Sequence, residues 1–182
     1  MKKIILALLS ISLLTACSQT NWDYSDPNMP EGLREKHEEV LAAELAILEE
    51  DPEDLDALFE VAFRYHQLGD YKNAVEYYEK VLALSESHGV TLNNLASLYE
   101  DMEKYGKAAE YIKLLYASDQ TNIEVTKDTV RILLEAGDLE NAKKAVENFE
   151  TKRVSGENPD PALQELVASL YADIEEWEQE NE

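Results

Sequence analysis

Leu58-x-x-Val61-Ala62-x-x-Tyr65-x-x-x-Gly69-Asp70-Tyr71-x-x-Ala74-x-x-x-Tyr78 decides the fold, because the pattern returns at a fixed step. Gly69, Glu103 and Gly137 lie 34 residues apart, and so do Ala74, Ala108 and Ala142. The same step carries Tyr65 onto Tyr99 and Leu133, Ala62 onto Ala96 and Val130, and Tyr78 onto Ile112 and Val146. Within each copy the apolar residues recur every three or four positions, as on one face of a helix, and a break near Gly69 separates two such runs. A unit of this length is a helix–turn–helix that cannot cover its apolar face alone and must stack on its neighbours.

At these positions the chain resembles the tetratricopeptide repeat. The second copy, Leu92-x-x-Leu95-Ala96-x-x-Tyr99 with Tyr105, Ala108 and Ile112, has Glu103 where glycine is usual. The third places Thr126 and Thr129 where large apolar residues are usual, and all three copies lack the closing proline, with Glu86, Gln120 and Val154 there. The resemblance implies an all-α, right-handed solenoid of about three hairpins. Repeats are expected at 55–88, 89–122 and 123–156, with helix pairs near 53–68 and 71–84, 88–102 and 105–118, and 122–136 and 139–151.

Outward from the repeats, residues 31–50 have a broad apolar stripe (Val40, Leu41, Leu45, Ile47, Leu48) and read as a leading helix on the first repeat. Asp51 is placed to cap the next helix, with Pro52 at its first position. Residues 151–160 contain Gly156, Asn158 and Pro159 and read as a loop. Residues 161–178 carry Leu163, Leu166, Val167, Leu170, Tyr171, Ile174 and Trp177 on one face and acids on the other, the pattern of a capping helix. Residues 31–182 then form one domain, of ordinary size for a chain of 182 residues.

The formal charge is −23, with a pI near 4.3. Such a surface repels nucleic acid and anionic headgroups and favours partners with basic patches, although acidic helices are also simply well-solvated ones. One cysteine, Cys17, leaves no disulfide within the chain. It ends a leader: Met1-Lys2-Lys3, an apolar run from Ile4 to Leu14, then Leu14-Thr15-Ala16-Cys17. The run is too short to span a bilayer well. The whole resembles a bacterial lipoprotein signal peptide (residues 1–16), which implies cleavage before Cys17 and acylation of its thiol. An ordinary cleaved signal peptide and an intact anchor are the two other readings. Each buried methylene contributes about 0.8 kcal/mol, so several acyl chains hold a domain firmly at a membrane. Residues 17–30, with Pro27 and Pro30, read as a flexible tether. Serine at position 18, after the cysteine, points to the outer membrane if the cell is Gram-negative, because an aspartate there favours inner-membrane retention in relatives.

The sequence offers no catalytic constellation. His37, His66 and His88 have no spacing that sets two on one helical face, so no metal site is expected. No phosphate-cradling loop and no nucleophile motif occur, and no cofactor is implied. The expectation is therefore a non-catalytic adaptor; a self-associating structural lipoprotein with a plugged groove is the alternative, and a carboxylate-based hydrolase a distant third.

Tetratricopeptide arrays take extended peptides along the wall lined by their first helices. By repeat position that wall carries Phe59, Phe63, His66 and Gln67, then Asn93, Ser97, Glu100 and Asp101, then Lys127, Arg131 and Leu134. Phe59 and Phe63 share a helical face and serve either as apolar anchors or as packing under the leading helix or the cap. Lys127 and Arg131 serve either as groove cations or as partners of Glu124, Asp128 and Glu135. The clamp that grips chaperone tails is not expected: Phe59 and Phe63 replace its first polar pair, Glu124 and Asp128 stand at two basic positions, and only Asn94 matches.

Replacing Cys17 with serine is expected to move the protein from the membrane to the soluble fraction on cell fractionation. Unchanged membrane retention would defeat the lipid-anchor reading.

Overall fold

Helix starts in the computed structural model, which describes residues 25–155 and 160–181, keep the 34-residue step: first helices begin at 55, 89 and 123 and second helices at 71, 105 and 139. The elements are α1 (Glu31–Glu50), α2 (Leu55–Leu68), α3 (Tyr71–Leu84), α4 (Gly89–Asp101), α5 (Tyr105–Ser118), α6 (Ile123–Glu135), α7 (Leu139–Phe149) and α8 (Pro161–Asn181). Each helix packs on the next, and α6 also meets α8. The described residues form an all-helical α-solenoid.

One turn is built three times. Gly69, Glu103 and Gly137 close the first helices with φ of 81°, 55° and 73°. In each, the next residue's N–H reaches five positions back: Asp70 to the Tyr65 carbonyl, Lys104 to Tyr99 and Asp138 to Leu133, at 2.9, 2.8 and 2.8 Å. This is the Schellman geometry, which satisfies carbonyls left over at a helix end. Asp70 and Asp138 then cap the second helices, accepting from the backbone N–H of Asn73 and Asn141, while those asparagine side chains donate back to the aspartates. Lys104 holds the equivalent place in α5 and makes no side-chain cap.

The first helices begin differently from the sequence expectation. Asp54, not Asp51, caps α2, its carboxylate accepting from the Ala57 N–H at 2.8 Å. Asp51 instead ends α1 and accepts from the N–H of Glu53, so Pro52 lies in a turn outside the helix. Asn122 caps α6 at the equivalent position and His88 stands there in α4.

The core follows the repeat. Ala74, Ala108 and Ala142 are 0% exposed, as are Tyr78, Ile112 and Val146 one helical turn further on. Small residues let paired helices approach; a larger group there would overpack the seam. Thr126 and Thr129, which weaken the third copy in sequence, are fully buried, and each hydroxyl donates to the carbonyl four residues back (Asn122, 2.8 Å; Val125, 2.6 Å). A buried hydroxyl satisfied in this way spares the core an unmatched donor.

Both ends differ in detail from expectation. Residues 151–154, anticipated as part of a loop, instead continue α7 in a π-helical turn, Glu150–Val154, that buries Val154; residues 156–159 lie outside the described residues. α8 extends to Asn181 rather than 178 and buries Val167, Leu170 and Ile174. At the other end α1 buries a single residue, His37, whose Nδ1 lies 3.2 Å from an Arg64 guanidinium nitrogen of α2.

Glu103 pays a steric cost that glycine would not. A left-handed residue with a Cβ is strained by about 1–2 kcal/mol, partly offset because glycine loses more freedom on folding. Glu103→Gly is expected to stabilise the fold by about 0.5–1 kcal/mol, raising Tm by roughly 1–4 °C, while Glu103→Ala gives no such gain. Calorimetry of both variants checks this; an E103G Tm at or below that of E103A would overturn it.

Candidate functional site

The first helices stand side by side along one wall, joined by polar contacts between successive repeats. On α2, the His66 imidazole lies 3.6 Å from the Asp101 carboxylate of α4, which also accepts from the Tyr71 hydroxyl at 3.1 Å. On α6, Arg131 reaches back to Glu100 of α4 with both terminal nitrogens and holds Asp128 at 3.2 Å. The bidentate fork on Glu100 fixes α6 against α4 more firmly than a single contact would.

Between α4 and α6 lies a small hollow of about 130 Å³ lined by Asn93, Ser97, Glu100, Asp128 and Arg131. A larger groove of about 590 Å³ lies between α6 and α8, within the size range of ligand pockets, and shares Asp128 and Arg131 with the hollow. Lys127 lines the groove and pairs with Glu124 at 3.1 Å. Four sequence candidates, Asn93, Ser97, Lys127 and Arg131, thus come together on one continuous surface.

The other three belong to an aromatic cluster. Phe59 and Phe63 stack with centroids 6.4 Å apart, and Phe59 also tilts against Tyr78 and His88 at 6.0 and 5.6 Å. The Arg64 guanidinium lies 5.0 Å over the Phe63 ring. Both phenylalanines are half-buried and line neither cavity. His66 is more enclosed than a surface histidine: its side chain is 12% exposed and edge-on to Tyr71 and Tyr78. Asn94, the one residue matching the chaperone-tail clamp, donates to the buried Tyr78 hydroxyl at 3.1 Å.

Sequence reasoning missed α8 as a wall. Leu166, Asp173, Glu176 and Trp177 line the groove opposite α6. The helical spacing of these residues was visible, but α8 starts at 161 where the repeat step points to 157, so no equivalence marks them as wall residues. Among the described residues, no group of three or more His, Cys, Asp or Glu is placed to hold a metal ion, and no helix is long and apolar enough to cross a membrane. Cys17 lies outside the described residues.

The tetratricopeptide repeat family pattern matches residues 55–88 and again 91–122. Two tetratricopeptide repeats therefore lie in this chain. α6 and α7, with the buried Thr126 and Thr129, continue the helical pattern. No curated protein matches the sequence. Among solved structures, MamA aligns over 87% of this chain and 98% of its own, at 14% identity and a TM-score of 0.57. A MamA fragment from Desulfovibrio magneticus RS-1 aligns over 82% and 93%, at 16% identity and a TM-score of 0.56. A tetratricopeptide repeat protein from Parabacteroides merdae aligns over 77% of this chain and 53% of its own, at 18% identity and a TM-score of 0.53. These likenesses establish the fold.

The enclosed histidines make the repeat seams sensitive to pH. Burial lowers the His66 pKa below 6.5, partly offset by Asp101, and burial together with Arg64 lowers that of His37. The unfolded chain therefore binds these protons more readily than the folded one. Their contribution to stability is complete above pH 6.5 and falls as the pH drops below it. Lower pH also relieves the repulsion among surface acids, so the decisive quantity is a difference. Between pH 7.5 and 5, the His37→Gln/His66→Gln double variant is expected to lose less stability than the parent in urea titrations. Parallel curves for the two proteins would remove the histidines from this account.

Proposed function

We propose that the protein is a non-catalytic interaction scaffold that holds a segment of a partner protein along the α4–α6–α8 wall. The observation that carries this reading is the continuity of the wall: the Asn93–Ser97–Arg131 hollow runs into the α6–α8 groove through shared residues. Amide, hydroxyl and guanidinium groups in a row fix the register of a bound backbone, and an apolar groove beside them contributes affinity. α8 stands beside the groove instead of filling it, which favours an adaptor over a self-plugged structural protein. Tetratricopeptide repeats are interaction modules, which supports the same reading.

The place of action we propose is a bacterial envelope, with the domain tethered through acylated Cys17. The basic start, the apolar run and Leu14-Thr15-Ala16-Cys17 support this. An anchor at one end leaves the wall free to engage a partner close to the membrane.

Photo-crosslinking in the producing cell tests the wall. A photoreactive residue at Ser97 is expected to capture a partner, while one at Lys144, exposed on α7, is not. The Asn93→Ala/Arg131→Ala pair is expected to cut the Ser97 adduct about tenfold with helicity unchanged, since exposed ion pairs contribute only about 0–1 kcal/mol to folding. Equal capture from both positions would overturn the assignment.

A further inference from the structure

Resting on the scaffold reading, we propose that the α6–α8 groove selects a lysine- or arginine-rich segment of a partner protein that buries one or two apolar side chains. The floor of the groove is apolar: Val130 and Leu134 come from α6, Leu166, Leu170 and Trp177 from α8. The lining carries five carboxylates against two cations. Those cations are already matched, Lys127 by Glu124 and Arg131 by Glu100 and Asp128. On the α8 side the balance is one-sided. Asp173, Glu176 and Glu180 are exposed along the rim, and among the described residues no ion pair engages them. The nearby lysines of α7 are spent elsewhere, Lys143 on Glu178 and Lys144 on Glu140.

A groove with an apolar floor and an unneutralised acidic rim has one complementary occupant: apolar side chains flanked by positive charge. The same field disfavours the rivals. An acidic segment meets like charge on entry, an anionic lipid surface is repelled, and a second copy of a chain with charge −23 brings its own acids to the rim. Placing cations against the rim also relieves the mutual repulsion of carboxylates set along one helix. Binding of this kind weakens as salt rises, because exposed charges are screened over about 8–10 Å at physiological ionic strength.

Trp177 in the groove supplies the readout. In a Trp22→Phe background, the full-length protein is titrated with a short synthetic peptide carrying Leu-Phe between two Lys-Arg pairs. The expected result is a saturable blue shift of Trp177 emission, weakened severalfold by raising salt from about 50 to 300 mM. A peptide with glutamate in place of each cation, and one with serine in place of Leu-Phe, are expected to bind at least about tenfold more weakly. Asp173→Lys/Glu176→Lys is expected to lower the affinity for the basic peptide about tenfold, while Glu165→Lys/Glu175→Lys, the same charge change on exposed α8 positions outside the groove lining, leaves it nearly unchanged. Equal weakening by both pairs would reduce the effect to net charge and overturn the proposal. So would equal binding of the acidic peptide, no Trp177 response, or a shift driven by protein concentration alone, which would mark a second copy as the occupant. Capture of a partner from Ser97 without a Trp177 response overturns the basic-segment assignment and leaves the scaffold reading standing; loss of both removes the two together.

Discussion

A two-helix hairpin has more apolar surface than its own two helices can cover, and every other feature of this chain follows from that surplus. Each hairpin must lean on the next, so the positions where helices meet tolerate only alanine-sized or well-fitted side chains. Ala74, Ala108 and Ala142, with Tyr78, Ile112 and Val146 beside them, are fully buried for this reason. After the third hairpin, α8 covers part of that surplus. α8 lies against α7 and α6 and starts four residues after the repeat step, and the gap it leaves against α6 forms a groove on the wall.

The electrostatics divide along the same lines. Within the array, charges hold one repeat to the next: Arg131 to Glu100, Lys113 to Asp138 at 3.1 Å, and His66 beside Asp101. These links are short and local. The excess of carboxylates falls on faces that no repeat covers, where it keeps the helices solvated and gives the wall its polarity. The same helices therefore pack through their apolar stripe and turn their carboxylates to solvent on the opposite face.

Much of this was legible in the residues because a repeat copies local instructions. The 34-residue step placed the three turns, the small seam residues and all but the edges of the helices. It also grouped Asn93, Ser97, Lys127 and Arg131, since equivalent positions on stacked units face the same way. What escaped depends on how one repeat is offset from the next. Arg131 pairs with Glu100, 31 residues away instead of 34, a diagonal contact set by the stagger of the stack. His66 is enclosed by tyrosines from α3, and Asp54 wins the cap from Asp51 because the turn at Pro52 consumes the earlier aspartate. The π turn at 150–154 and the four-residue delay of α8 break the period, so no equivalence could announce the second wall of the groove.

The thin burial of α1 has a mechanical side. Of α1's own residues only His37, beside Arg64 at the seam with α2, is buried, whereas every α-helix behind it buries at least three. Elements with the fewest enclosed contacts open first. A pull transmitted through residues ahead of 31 would load this seam before any repeat feels it, so α1 would peel away as a sacrificial clasp and lengthen the reach of the chain while the wall stays folded.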